Sequence, residues 1–219
     1  MVYFRQILAA SSDRYSYLLT DLNRREAIII DPAADQVLLY QSLLKEIRAT
    51  LVAVLLTHSH GALSPGLGEL LVQHGAQLFL GEGAVLDSLG AGLERGWLCK
   101  ESLLGFGDET VLAWPTPGHT LGSVCFFWRD RVFTGDTLLI GESRAECDDA
   151  DAASLFDSVT QRLLPLPDET LIYPGRRTAE RMVSCIGEQR GRNPLLGGMT
   201  RDEFIAAEMR LHASAQPSH

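Results

Sequence analysis

Three short motifs that contain His or Asp each follow a run of residues typical of a β-strand. The first run is apolar throughout, which is typical of a strand covered on both faces in an α/β protein. Loops at the ends of such strands are where α/β proteins present reactive side chains. The motifs are Thr57-His58-Ser59-His60, Thr116-Pro117-Gly118-His119-Thr120 and Thr134-Gly135-Asp136, and they follow residues 51–56, 109–114 and 131–133.

The residue types in these motifs are those of a metal site. His58 and His60 lie one residue apart in a predicted turn, where both imidazoles can point at one ion, as they cannot from opposite faces of a continuing strand. His119 and Asp136 would add a third imidazole and a carboxylate. Neutral imidazoles with an ionised carboxylate suit zinc or ferrous iron. We therefore predict that these four side chains bind a metal ion.

The remaining pattern predicts two similar halves, each with strands first and helices after. Strands that alternate with helices, with hairpins among them, favour an α/β fold in which helices cover the outer faces of two packed sheets. We expect one domain over residues 1–219, with a short flexible tail from about residue 212. The predicted strands are residues 15–20, 26–30, 51–56, 77–80, 109–114, 123–128, 131–133 and 170–173; the predicted helices are 35–48, 65–74, 83–90, 151–164, 179–190 and 201–211.

Charge and apolar content argue against a nucleic-acid-binding, secreted or membrane-spanning protein. The formal net charge of −9 argues against nucleic acid, whose binding depends on neutralising phosphates with Lys and Arg. The N-terminus lacks the features of a secretory signal, and no apolar run approaches the ~20 residues of a membrane span. We expect a cytoplasmic protein. Cys99, Cys125, Cys147 and Cys185 have no metal-binding spacing, and His74, His212 and His219 are interpreted as structural or solvated.

With these motifs, the sequence resembles the metallo-β-lactamase superfamily and, within it, the persulfide dioxygenase (sulfur dioxygenase) group. The resemblance implies an αββα sandwich of two mixed sheets covered by helices. It also implies one Fe(II) per chain on the catalytic residues His58, His119 and Asp136, with His60 as a ligand or a close neighbour. The reaction implied is the oxidation of a glutathione-type persulfide by O₂ to sulfite. Further matching segments are residues 27–32, 133–140, 172–175 and 201–204.

The sequence departs from the superfamily pattern at the second metal site. Ala62 and Leu63 stand where the Asp and the second His of the His-x-His-x-Asp-His motif belong, and Arg176 stands where a late His is usual. A two-metal hydrolase needs ligands for both ions, so a dinuclear mechanism is disfavoured. We expect the Arg176 guanidinium to take the second-metal position and pair with Asp136; the alternative is that it binds an anionic substrate or product. No other substrate-binding residue is assigned.

Two alternative functions remain beside the dioxygenase. One is a catalytically silent protein of this fold with a metal-binding or regulatory role. The other is a mononuclear zinc hydrolase, since zinc with an open position activates water. A homodimer contact through the C-terminal helix, at Phe204, Ile205 and Leu211, ranks behind packing of that helix on its own domain.

Overall fold

The chain forms two six-stranded β-sheets with helices. The computed structural model describes residues 1–9, 11–61, 65–86, 93–141, 150–178, 180–193 and 198–215. The first sheet has the strand order β1-β2-β3-β4-β5-β6, and the second has the order β12-β11-β10-β9-β8-β7. Each sheet is mixed, with antiparallel and parallel neighbours.

In the first sheet, an antiparallel hairpin leads into a parallel half. β1, β2 and β3 are antiparallel neighbours, and β3 to β6 run parallel. Helices α1 and α2 follow β3 and β4, since a parallel pair needs a long crossover. The strands are β1 Val2–Ala9, β2 Arg14–Asp21, β3 Glu26–Ile30, β4 Thr50–Leu55, β5 Gln77–Gly81 and β6 Arg95–Leu98; the helices are α1 Val37–Ile47, after a short 3₁₀ turn at Ala34–Gln36, and α2 Pro65–His74.

The second sheet contains one parallel pair, β10 with β11, and is otherwise antiparallel. The crossover between these two strands contains helix α3, which runs on into a π-helical turn at Val159–Leu163. The strands are β7 Ser102–Phe106, β8 Glu109–Pro115, β9 Val124–Trp128, β10 Arg131–Gly135, β11 Leu171–Pro174 and β12 Ser184–Cys185; the helices are α3 Ala152–Ser158, α4 Ile186–Arg192 and α5 Arg201–Ala215.

Three apolar clusters define the layers of the fold. Alternating residues of β2 show the arrangement, because Tyr17 and Leu19 lie in a cluster shared by both sheets while Leu18 lies in a cluster shared with α1 and α2. A third cluster joins the other face of the second sheet to α3 and α5. The predicted αββα sandwich is therefore confirmed.

The C-terminal helix packs on its own fold. Phe204 of α5 is fully buried, and its ring centroid lies 5.5 Å from that of Phe156 in α3. Ile205 is half-buried, and the side chain of Leu211 lies outside the described residues. The expected packing is observed at Phe204, and a homodimer contact stays a prediction. No helix in the described part of the chain is long and apolar enough to cross a membrane.

Several predicted helices and strands differ from those in the structure. The helix predicted over 179–190 is wrong, because Ser184 and Cys185 instead extend the second sheet by pairing with β11, and α4 starts only at Ile186. The residues described after β5, up to Leu86, are not helical, and the rest of the helix predicted over 83–90 lies outside the described residues. Strands β1, β6 and β7 were not predicted. The last helix continues to Ala215 instead of ending at residue 211.

We expect Phe126→Ala to lower the free energy of unfolding by about 3–5 kcal/mol, because it empties space between the two sheets. Phe126 is fully buried in the cluster that the sheets share. Urea unfolding measures the change. The matched control is Leu103→Ala at an exposed side chain, which should stay within about 0.5 kcal/mol of the wild type. Equal losses in both variants would contradict this account of the core.

Candidate metal centre

The three predicted motifs lie where strands of both sheets end. His58 and His60 follow β4 of the first sheet, whereas His119 follows β8 and Asp136 follows β10 of the second. A backbone hydrogen bond of 2.7 Å from Val124 N to Thr57 O joins the first motif to the second sheet. The centre therefore spans the seam between the two sheets.

The structure brings all four predicted side chains together. Asp136 Oδ2 lies 3.8 Å from His58 Nε2 and 3.7 Å from His119 Nε2. His119 Nε2 lies 3.3 Å from His60 Nε2. The three imidazoles each offer a nitrogen within 4.8 Å of the others. Asp136 and His119 are buried, whereas His60 is exposed.

This donor set fits one metal ion. Donor atoms at about 2.1 Å from a shared ion lie about 3.0–3.5 Å apart. The three measured pairs, at 3.3, 3.7 and 3.8 Å, are close to that range. Asp136 Oδ1 is also buried and has no hydrogen-bond partner among the described residues. A buried carboxylate oxygen without a donor is costly unless a cation satisfies it.

Burial and hydrogen bonding prepare His58 to be a ligand. Burial lowers the pKa of His58 to about 3, so its imidazole is neutral at neutral pH. Its Nδ1 lies 2.9 Å from Thr57 Oγ1, and that hydroxyl donates to Asp31 Oδ2 at 2.6 Å. While Asp31 is ionised, the Thr57 hydroxyl donates its hydrogen to Asp31, so Thr57 Oγ1 acts as the acceptor for His58 Nδ1–H. The lone pair of Nε2 then faces the other donors.

Two carboxylates near the centre behave differently. Burial raises the pKa of Asp31 to about 7, in spite of the hydrogen bonds from Thr57. Burial also opposes ionisation of Asp136, yet its pKa is lowered because His58, Arg176 and His119 favour the carboxylate. Asp136 is therefore the anionic donor of the centre.

Comparison with known proteins decides the family. No protein-family model matches the chain. "Persulfide dioxygenase ETHE1, mitochondrial" of Bos taurus is 33% identical over 215 residues, which cover 96% of this chain and 82% of that protein. The crystal structure of ETHE1 from Myxococcus xanthus superposes with a TM-score of 0.85 at 34% identity, over 95% of this chain and 91% of that one. The chain belongs to the persulfide dioxygenase family of the metallo-β-lactamase superfamily.

More distant relatives within the superfamily include hydrolases. "Probable polyketide biosynthesis zinc-dependent hydrolase PksB" of Bacillus subtilis is 28% identical over 162 residues, which cover 74% of this chain and 72% of that protein. A metallo-β-lactamase structure from Staphylococcus aureus has a TM-score of 0.84 at 23% identity, which shows the fold alone.

Two arginines lie at the donor atoms of the centre. Arg176 Nε lies 3.3 Å from Asp136 Oδ2, in the pairing expected from the sequence. Arg14 NH1 lies 3.4 Å from His58 Nε2. Sequence reasoning missed Arg14, because the strand was predicted to begin at Tyr15 and none of the three motifs is near Arg14 in sequence; in the structure Arg14 is the first residue of β2. Ala62 and Leu63, the other predicted replacements at the second site, lie outside the described residues.

A cavity of about 600 Å³ opens beside the centre. Arg14, His58 and His60 line one part of it. Leu56, Leu67 and Leu86 contribute apolar wall, and Ser11 and Asp35, which are hydrogen-bonded to each other, contribute a polar wall. Such a mixture of apolar surface with a few polar groups is typical of a small-molecule site.

Several polar residues outside the centre have structural roles. His74 Nδ1 accepts a hydrogen bond of 3.2 Å from Leu51 N. Asp151 caps α3 by accepting from Ala153 N at 2.9 Å. Cys125 is buried, which raises the pKa of its thiol to about 12. Cys147 and His219 lie outside the described residues, as does the side chain of His212.

We expect Gly118→Ala to lower the free energy of unfolding by about 2–4 kcal/mol, from overpacking and left-handed strain together. Gly118 has φ +142°, and an added Cβ would lie 2.2 Å from the backbone of Leu155 in α3. In the control Gly75→Ala, the added Cβ meets nothing within 4 Å at φ +64°, so the change should cost only the backbone strain of about 1–2 kcal/mol. Urea unfolding compares the two; a loss at Gly118 no larger than at Gly75 would contradict the close contact.

We expect Thr57→Val to weaken zinc binding by roughly 10–100-fold, because Thr57 orients His58 through Nδ1. Thr57→Ser retains the hydroxyl and should restore most of the affinity. Competition with a chromogenic chelator measures the dissociation constant. Thr160→Val, which removes a remote hydroxyl bonded to Phe156 O, serves as the control. An unchanged zinc affinity in Thr57→Val would show that this hydrogen bond does not prepare the ligand.

Proposed function

We propose that this chain, as a single domain, is a mononuclear non-haem iron persulfide dioxygenase that oxidises a glutathione-type persulfide to sulfite. The observation that carries the proposal is the convergence of His58, His119 and Asp136, with Asp136 Oδ2 within 3.8 Å of both imidazole nitrogens. Membership of the persulfide dioxygenase family supports it. We further propose a cytoplasmic location, as predicted from the sequence.

One ion, not two, is supported by the surroundings of Asp136. Two-metal hydrolysis requires ions about 3.5–4 Å apart that share the reacting oxygens. Here the Arg176 guanidinium lies against Asp136 Oδ2 and supplies positive charge on that side of the carboxylate. A guanidinium neutralises an anion but cannot coordinate one as a metal does. A single-ion centre follows.

Iron is favoured over zinc by the donor set and the reaction together. Two imidazoles and one carboxylate on one face form the triad used by non-haem Fe(II) oxygenases, which leaves positions open for O₂ and substrate. When bound, the iron would supply the redox chemistry of O₂. The balanced reaction converts a persulfide, O₂ and water to a thiol, sulfite and two protons. The two sulfurs of the persulfide together lose four electrons, and O₂ accepts four.

The protein's own residues would hold and orient the reactants. His58, His119 and Asp136 would be the catalytic ligands, and His60 beside His119 would be a further ligand or hydrogen-bonding group. Thr57 and Asp31 would keep His58 in the tautomer that presents Nε2. The cavity beside His58 and His60 is large enough for a thiol carrier of the size of glutathione.

A mononuclear zinc hydrolase is the second candidate, favoured by the similarity to a protein named as a zinc-dependent hydrolase. The same donors accept zinc, which activates a bound water. A catalytically silent, metal-binding or regulatory protein is the third, and the two guanidiniums at the donor atoms favour it. Metal identity and turnover separate the three.

The decisive experiment is elemental analysis of protein purified without oxygen, followed by O₂ uptake with glutathione persulfide. We expect about one iron per chain and uptake that depends on persulfide. His119→Ala should lose both metal and uptake. His74→Gln, which keeps an acceptor for Leu51 N, should retain both.

Other outcomes would reject the dioxygenase. Zinc without O₂ uptake, even after iron loading, would favour the hydrolase. A chain that takes up no metal after reconstitution would favour the silent protein.

A further inference from the structure

Arg14 and Arg176 are neighbours across a β-bridge that links the two sheets. The bridge is antiparallel, and its flanking hydrogen bonds run from Tyr15 N to Gly175 O at 2.8 Å and from Arg177 N to Asp13 O at 2.7 Å. Side chains directly opposite in such a pair have Cβ atoms about 4.5–5.5 Å apart. The backbone therefore holds two guanidinium groups beside each other at the metal centre.

The two arginines differ in their partners. Arg176 is paired with Asp136. Arg14 is exposed, and no carboxylate in the described ranges lies within ion-pair distance of it. Its NH1 instead lies 3.4 Å from His58 Nε2. Its charge helps to lower the pKa of Asp136 and Asp31, but Arg14 makes no ion pair with either carboxylate.

The contact between Arg14 and His58 excludes metal binding by the same nitrogen. An imidazole nitrogen has one lone pair, which either accepts a hydrogen bond or binds a metal. A metal on His58 Nε2 would therefore displace Arg14 NH1. The guanidinium would then face the cavity, which Arg14 and His58 both line.

An anion is the natural ligand of a guanidinium held next to a divalent ion. The cavity's acids are engaged elsewhere, because Asp35 accepts from Ser11 and Asp31 accepts from Thr57. The planar fork of Arg matches two oxygens of an oxyanion. An anion touching both Arg14 and a metal on Nε2 must be compact, since the two protein atoms lie 3.4 Å apart.

We propose that Arg14 binds a compact sulfur oxyanion, of which sulfite is the example, next to the metal. Naming sulfite rests on the proposed function, in which sulfite is the product. A carboxylate of a glutathione-type carrier lies many bonds from the reacting sulfur, so it would not reach Arg14 while the sulfur is at the metal. Arg14 is thus a product-binding residue of the centre.

Metal and anion binding should be coupled through Arg14. Without an anion, Arg14 competes with the metal for His58 Nε2. With an anion, the displaced guanidinium gains a partner, so the anion increases metal affinity and the metal increases anion affinity by the same factor.

The test uses the zinc-loaded protein, which has no redox chemistry, titrated with sodium sulfite without oxygen in an isothermal titration calorimeter. We expect Arg14→Met to bind sulfite at least tenfold more weakly than the wild type, and Arg14→Lys to be intermediate. The matched control is Arg177→Met, which removes the same charge from an arginine paired with Asp13 at the surface. It should bind sulfite as the wild type does.

A second measurement tests the coupling. Zinc affinity of the wild type should rise at least fivefold with saturating sulfite, whereas Arg14→Met should bind zinc at least as tightly without sulfite and gain nothing from it. Sodium acetate replaces sulfite in a parallel titration and should bind at least tenfold more weakly.

Four results would overturn the inference. They are wild-type sulfite affinity in Arg14→Met, an equal loss in Arg177→Met, acetate binding as tight as sulfite, and a wild type that takes up no zinc.

Failure of the dioxygenase proposal is seen separately, as an iron-loaded protein without persulfide-dependent O₂ uptake, and leaves the zinc and sulfite titrations unaffected. Thermal unfolding of each variant checks that the exposed substitutions leave the fold intact.

Discussion

Packing of Tyr17 against Phe133 holds the two sheets together beneath the metal centre, and the geometry of the site depends on it. Their ring centroids lie 4.8 Å apart, and Tyr17 also meets the edge of Tyr173. The Tyr17 hydroxyl donates to Pro174 O, so one buried side chain fixes the ends of β10 and β11 relative to the first sheet. Asp136 follows β10 by one residue, and its distance from His58 is set through this contact.

The same constraint explains why the site is polar yet buried. Two sheets that pack face to face bury the residues at their seam, including Asp136 and His119. Burying a carboxylate is unfavourable unless positive charge or hydrogen-bond donors surround it. Arg176 and the imidazoles supply these around Asp136. Arg176 supplies the positive charge that a second metal ion would otherwise bring to Asp136. Unlike a metal ion, its guanidinium has no open coordination positions, and this changes the chemistry that the fold can support.

The metal donors could be predicted from sequence because each follows a strand with a strong local signal. The apolar run before His58 and the glycine before His119 or Asp136 mark strand ends directly. β12 carried no such signal: Ser184 and Cys185 become a strand only because β11 offers a free edge. Arg14 is a similar case, since nothing near it in sequence indicates a site. Its place at His58 comes from the bridge to Arg176, a pairing that only the tertiary structure creates.

The Arg14 contact also bears on why a site of this kind is stable before it binds a metal. The side chains of His58, His119 and Asp136 are almost fully buried at one seam, where water cannot reach their lone pairs freely. Each unsatisfied buried group is costly. His60 and His119 satisfy each other at 3.3 Å, and Arg14 donates to His58. These contacts lower the free energy of the metal-free state. Breaking them therefore offsets part of the free energy of metal binding. An anion bound to Arg14 would replace the contact that Arg14 loses, and it would recover that part of the binding free energy. Metal affinity then depends on what else occupies the cavity.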